Sequence, residues 1–210
     1  PASTGAARPS AARAPAPAPP TAAAHKRLGS APAPRRWTIA LQAGAVATRG
    51  DLGVGPTVGI AADARVTDRL RATLGVDWAA FARQDDALLS PPGWPRGRGQ
   101  LIQETAVTTA WLGAAVDVAR FGQARPYARA SLGIALHRTQ LRAFSATATD
   151  RTAAPAIAVG MGVRGQRGAM AWGVDVAWRE TTADFGMAAA AAGENTASGL
   201  SVTAGAGAAF

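Results

Sequence analysis

Few side chains in this 210-residue sequence are of the kinds that do chemistry. There is no cysteine, which excludes disulfide staples and thiolate metal sites. The two histidines, His25 and His137, are too few for a histidine metal cluster. His137 is followed two residues later by Thr139, and Asp150 and Glu180 are the nearest acids that could orient it. A base beside a hydroxyl can activate that oxygen as a nucleophile. The plainer reading, a histidine at the border of a polar segment, asks for no special geometry and is preferred. Asp85-Asp86 could ligate a hard cation, but adjacent acids in a polar stretch are more simply a solvated pair. Gly160-Met-Gly162 lies inside an alternating stretch and not ahead of a helix, so it is no phosphate loop. No catalytic centre, metal or cofactor is expected.

What remains is a pattern of charge. Asp63, Arg65, Arg71, Asp77, Asp117, Arg129, Arg164, Asp175 and Arg179 each sit in a stretch where apolar residues alternate with small or polar ones. All nine fall on the parity opposite the large apolar residues. Four acids and five bases nearly cancel. Enclosed, such a set forms a hydrogen-bonded ion network; exposed, it is a wetted face.

The elements that carry these residues have a period of two, which is the strand period. Trp37, Ile39, Leu41, Ala43 and Ala45 mark a first strand, and Val58, Ile60, Ala62, Ala64 and Val66 a second. Leu70 to Trp78 gives a third, Leu101 to Val118 a fourth and Tyr127 to His137 a fifth. Ile157 to Arg164 gives a sixth, Met170 to Arg179 a seventh and Leu200 to Phe210 the last. The connections alternate in length. Residues 67–69, 119–125 and 165–169 read as short turns, whereas 83–100, 139–153 and 180–199 read as long polar loops. The Gly-rich turn Arg49–Gly55 fits this alternation least well. Eight strands joined by short turns at one end and long loops at the other form the pattern of a membrane β-barrel.

The two faces then need assigning. An eight-stranded barrel encloses only enough space for side chains. An Arg facing lipid at the midplane costs about 2–4 kcal/mol, so the nine charges belong inside and the apolar face outside. Glycines and alanines on the polar face leave room for long side chains. Trp37, Tyr127, Trp172 and Phe210 lie near the turn end, with Trp78, Phe81 and Trp178 toward the loop end. That distribution is expected of two aromatic belts. The competing arrangement, a soluble β-barrel or sandwich that buries the apolar face, would put these aromatics in its core.

Two stretches carry a family resemblance. Arg125-Pro-Tyr-Ala-Arg-Ala-Ser-Leu-Gly-Ile134 resembles a phrase common in small outer-membrane barrels, and Leu200-Ser-Val-Thr-Ala-Gly-Ala-Gly-Ala-Ala-Phe210 resembles their closing strand. With these, residues 37–210 look like the transmembrane domain of outer-membrane protein A and its OmpX-like relatives. The resemblance implies an all-β fold, an antiparallel up-and-down transmembrane barrel of about eight strands, in the bacterial outer membrane. It also implies that the barrel-assembly machinery reads Leu200, Val202 and Phe210 as a terminal signal. Outer-membrane lipid A deacylases of similar size use a His, a Ser two residues later and a Glu; Thr139 departs from that pattern.

Residues 1–35 differ in kind. They are rich in Pro and Ala, which break helices and offer little to bury, and read as a disordered linker or tail beside a barrel domain at 36–210. Arg8, Arg13, Lys26, Arg27, Arg35 and Arg36 precede the first acid, Asp51, and carry six of the nine net positive charges. Without interleaved aromatics for base stacking, nucleic acid is not the expected partner. Membrane lipid, the assembly machinery and an envelope protein reached through loops or tail are. The function expected is structural, tethering or surface interaction, with the interior filled rather than open. A narrow pore or small-ligand transporter, a lipid-modifying enzyme and a soluble binding barrel are the alternatives.

Overall fold

A computed structural model describes residues 36–50, 52–89, 97–143, 146–181 and 197–210, with side chains described except at 85–89, 97–99 and 146. The expected tail at 1–35 lies outside these residues. The described chain is built of strands: β1 Trp37–Thr48, β2 Val54–Arg65, β3 Leu70–Leu89, β4 Gly97–Asp117, β5 Ala124–Ala143, β6 Ala146–Arg167, β7 Met170–Thr181 and β8 Gly199–Ala209. Each pairs antiparallel with its sequence neighbours, and β8 pairs with β1 to close the barrel. The closing register runs from Thr38 opposite Ala209 to Thr48 opposite Gly199. Trp37 N also donates to Phe210 O at 3.2 Å, and Phe210 N to Trp37 O at 2.9 Å. Closure leaves no sheet edge to be satisfied in hydrocarbon, which the bilayer core demands.

The short turns need few residues. Gly168, at φ 61°, lets β6 reverse into β7 within two residues, and Gly122, at φ 59°, does the same service in the turn before β5. Both conformations are strained for a residue with a Cβ.

The outer surface is apolar. Leu41, Leu74, Leu112 and Leu132 are each at least 60 % exposed, and Ile39, Ile60, Val76, Ile134, Val159 and Met161 are exposed beside them. Such a continuous band is a lipid-facing surface, far beyond what a water-soluble monomer displays. On β5 it runs from Ala128 to Leu136, about nine residues, the length a tilted strand needs to cross hydrocarbon.

The loops are shorter than the sequence suggests. β3 continues through 83–89 and β4 begins at Gly97, so most of the expected loop 83–100 is strand. The described residues of the expected loop 139–153 are likewise strand, as β5 and β6 stay paired from Ala143 opposite Ala146 down to the membrane band. At the turn end, 165–167 belong to β6 and Ala124 to β5. β3–β6 are therefore 20–22 residues long, against 11–12 for the other four strands. The excess adds roughly 30 Å of strand at 3.3 Å per residue. Outside the membrane the outward face meets water, so Arg138, Gln140 and Arg142 replace the outward apolar residues, while Leu101, Leu141 and Ala143 stay buried on the inner face. Arg142 and Glu104 form an exposed ion pair there at 3.5 Å.

Candidate functional site

The strand period aims one parity of every strand into the barrel, and the charged residues share that parity. Asp77 on β3 accepts from Trp111 Nε1 at 2.7 Å and from Arg179 Nη1 at 2.8 Å, joining β3, β4 and β7 across the lumen. The Arg179 guanidinium lies 5.5 Å from the Trp111 ring centre, and its Nε donates to Ser201 Oγ at 3.0 Å. Nearer the turns, Asp175 on β7 accepts from Tyr127 Oη at 3.0 Å and pairs with Arg129 Nη2 at 2.5 Å. Asp117 on β4 takes Arg164 through both Nε, at 3.0 Å, and Nη2, and Arg125 at 3.4 Å. Arg164 also covers the Tyr127 ring at 4.7 Å. Arg65, Arg71 and Asp63 lie on the same inner face on β2 and β3, and no ion pair within 4.0 Å joins them among the described residues.

Small residues make this possible. A Cβ at Gly162 would stand 2.7 Å from Tyr127 Oη, and one at Gly133 would stand 2.8 Å from the Trp111 ring. These glycines make room for aromatic rings rather than for the long arginines the sequence suggests.

Between this charged region and the loop end lies an apolar layer. Val46, Leu52, Ala79, Phe81, Val107, Ala135, Ala156 and Ala197 are all buried and in contact, and Trp111 packs against them. A void of about 20 Å³ is left there. On the turn side the lumen opens into a cavity of about 290 Å³ that extends to the turns at Gly122 and Gly168.

Two aromatic positions are corrected. Tyr127, grouped with the turn-end belt from sequence, points inward, because Asp175 and Arg164 hold its ring within the charged set. Phe81, grouped with the loop-end belt, is 4 % exposed inside the lumen. Trp37, Trp172 and Phe210 at the turn end and Trp78 and Trp178 toward the loop end are exposed on the outside. Trp178 Nε1 donates to Glu180 Oε2 at 3.1 Å. Trp111, Arg125 and the apolar layer escaped the sequence reading. Trp111 shares the parity of Thr109 and Gly113, which was signal enough to put it inside.

The hydrolase candidates are not assembled. His137 is buried on the inner face and Glu180 stands on the outer one. Thr139 Oγ1 shares a hydrogen bond with Thr105 Oγ1 at 3.2 Å, while Asp150 accepts from the Arg151 backbone at 2.7 Å. No group of three or more metal-ligating side chains occurs among the described residues. Asp85 and Asp86 lie on β3, with their side chains outside the described residues.

No family model matches the chain, and no curated protein is measurably similar in sequence. The fold does have solved counterparts. Neisserial surface protein A matches with a TM-score of 0.50 at 15 % identity, covering 83 % of this chain and 97 % of its own. Ail, the attachment invasion locus protein of Yersinia pestis, matches with a TM-score of 0.51 at 9 % identity, covering 84 % and 99 %. At such identities the likeness is one of fold: a small eight-stranded outer-membrane barrel.

Proposed function

We propose that this chain is an outer-membrane barrel with a structural or surface-interaction role, spanning the bilayer as a closed body rather than as a pore. The turn end faces the periplasm, and β3–β6 rise from the cell surface as the part a partner meets. The observation that carries the reading is the buried apolar layer across the lumen around Phe81, Val46 and Val107. Ions do not cross a dry apolar constriction of that kind, because dehydrating them is too costly. The ion pairs of Asp77, Asp117 and Asp175 all lie beneath it. A lipid-modifying activity lacks its geometry, since His137 and Glu180 lie on opposite faces of the wall.

Lipid is the partner of the exterior, and the assembly machinery is the partner of Leu200, Val202 and Phe210 during biogenesis. An envelope protein engaging the projecting strands completes the set. Reconstitution in planar bilayers tests the reading, with membrane fractionation and a heat-modifiability gel run beside it. The protein should fractionate with the outer membrane, shift on the gel when unheated, and give no discrete conductance steps. Reproducible single-channel steps would replace a structural barrel with a pore.

A further inference from the structure

The arginines at the turn end are not balanced one for one. Arg129 is matched by Asp175 and Arg179 by Asp77, but Arg125 and Arg164 share Asp117. Arg65 and Arg71 form no ion pair of their own, and the acids that reach Arg71, Asp117 and Asp63, are shared with the other arginines. Arg65, Arg71, Arg125 and Arg164 against Asp63 and Asp117 leave two positive charges in excess. The register makes the imbalance sharper. Arg65 stands directly opposite Arg71, and Arg125 directly opposite Arg164. Like charges in that relation destabilise a sheet, and here both pairs are turned into one lumen. The Nε atoms of Arg65 and Arg71 are buried without a hydrogen-bond partner, and Arg71 is only 8 % exposed. Buried donors of that kind call for an acceptor.

The space for one is beside Arg71. Arg71, Arg125, Arg129 and Arg164 all border the cavity of about 290 Å³, which extends to the turns. On β4, the residue between Arg71 and Arg129 in the register is Ala115, whose small side chain keeps that stretch of wall clear. Guanidinium forks bind oxyanions through paired hydrogen bonds that a spherical halide cannot accept in the same geometry.

We infer that the turn-end half of the lumen is a binding site for a small oxyanion of the phosphate class, held by Arg71 and Arg164 with Arg125, and entered from the turn side. The anion neutralises the excess charge and accepts from the buried Nε of Arg71, so its binding stabilises the barrel. Its source is a free phosphate ion or the phosphate of a small phosphorylated solute.

The test is calorimetric titration of the full chain, refolded in detergent micelles, with inorganic phosphate against chloride at matched ionic strength. A saturable, single-site heat is expected for phosphate alone. Arg71→Gln and Arg125→Gln should each weaken it roughly tenfold or more, as loss of a charged hydrogen bond implies. Arg138→Gln, on the exposed outer face, should leave it unchanged. A parallel titration with glycerol 3-phosphate separates the sources: tighter binding assigns a phosphorylated solute, weaker binding the free ion. No saturable heat in the unaltered protein overturns the site, and that measurement needs no variant to fold. So does an affinity unchanged in whichever of the two lumenal variants folds, or lost equally in Arg138→Gln.

Discussion

Asp77 shows what each interior side chain contributes. Its carboxylate is held by one indole N–H and one guanidinium, from two other strands. Removing Arg179 leaves a buried charge with the indole alone, and breaking such a pair typically costs about 3–5 kcal/mol. Arg179→Ala should therefore lower the unfolding free energy read from urea titration in detergent by that order, while Asp77→Asn combined with Arg179→Gln should lose far less. An unshifted midpoint in Arg179→Ala would mean that water, not protein, compensates Asp77. Gly162 tests packing instead of charge. A methyl there meets the Tyr127 hydroxyl at 2.7 Å and the Val174 carbonyl at 2.3 Å, so Gly162→Ala should destabilise by about 1–3 kcal/mol through overpacking. Thermal melts monitored by β-sheet circular dichroism would register it. At this scale the sequence was partly legible. Parity alone assigned all nine charges to one face. It could not say that Asp117 takes two arginines, because partner choice depends on register and shear, which no local pattern encodes. Tyr127 shows the other limit: an amphipathic ring suits a membrane interface or a polar lumen equally well, and its partners on β6 and β7 decided the matter.

Strand boundaries were read well inside the bilayer and poorly outside it. Leu132, Ile134 and Leu136 alternate with Ser131, Gly133 and Ala135 because one side meets lipid and the other does not. Beyond Leu136 the outward residues become Arg138, Gln140 and Arg142, so alternation ends although the ladder does not. Hydrogen bonding to the neighbouring strand, absent from any one-strand pattern, carries β5 on to Ala143. The apolar layer was hidden for the converse reason. Phe81 and Val107 are apolar on the inward parity, so they blur the very contrast that marks a strand's two faces. Because the chain lacks cysteine, single substitutions give clean labels. Thr149→Cys, on the projecting part of β6, should react with a membrane-impermeant maleimide in intact cells, and Asp68→Cys, in the β2–β3 turn, should react only after lysis. Labelling at position 68 in intact cells would invert the orientation.

For the molecule as a whole, closure depends on a seam of very small residues. β8 offers Ala204, Ala206 and Ala208 to the outside and Gly205 and Gly207 to the inside. Side-chain burial adds little there, and the register of backbone hydrogen bonds from Thr38–Ala209 to Thr48–Gly199 holds the barrel shut. Phe210 is 65 % exposed at the end of that seam, so it adds little to packing, in keeping with the recognition role proposed for it. Phe210→Ala should accordingly reduce the yield in the outer membrane of living cells more than the refolded fraction in detergent; equal, near-normal yields would remove its role as an assembly signal. The proposed seal has one more consequence. On the proposed reading the apolar layer separates two rooms of the interior, and the cavity beside Arg71 and Arg164 belongs to the room on the turn side. Its counterions, its hydration and the screening of its ion pairs are therefore set by one compartment and insulated from the other. A salt shock applied to the loop side leaves the network at its original strength, whereas the same shock on the turn side reaches Arg71 and Asp117 directly.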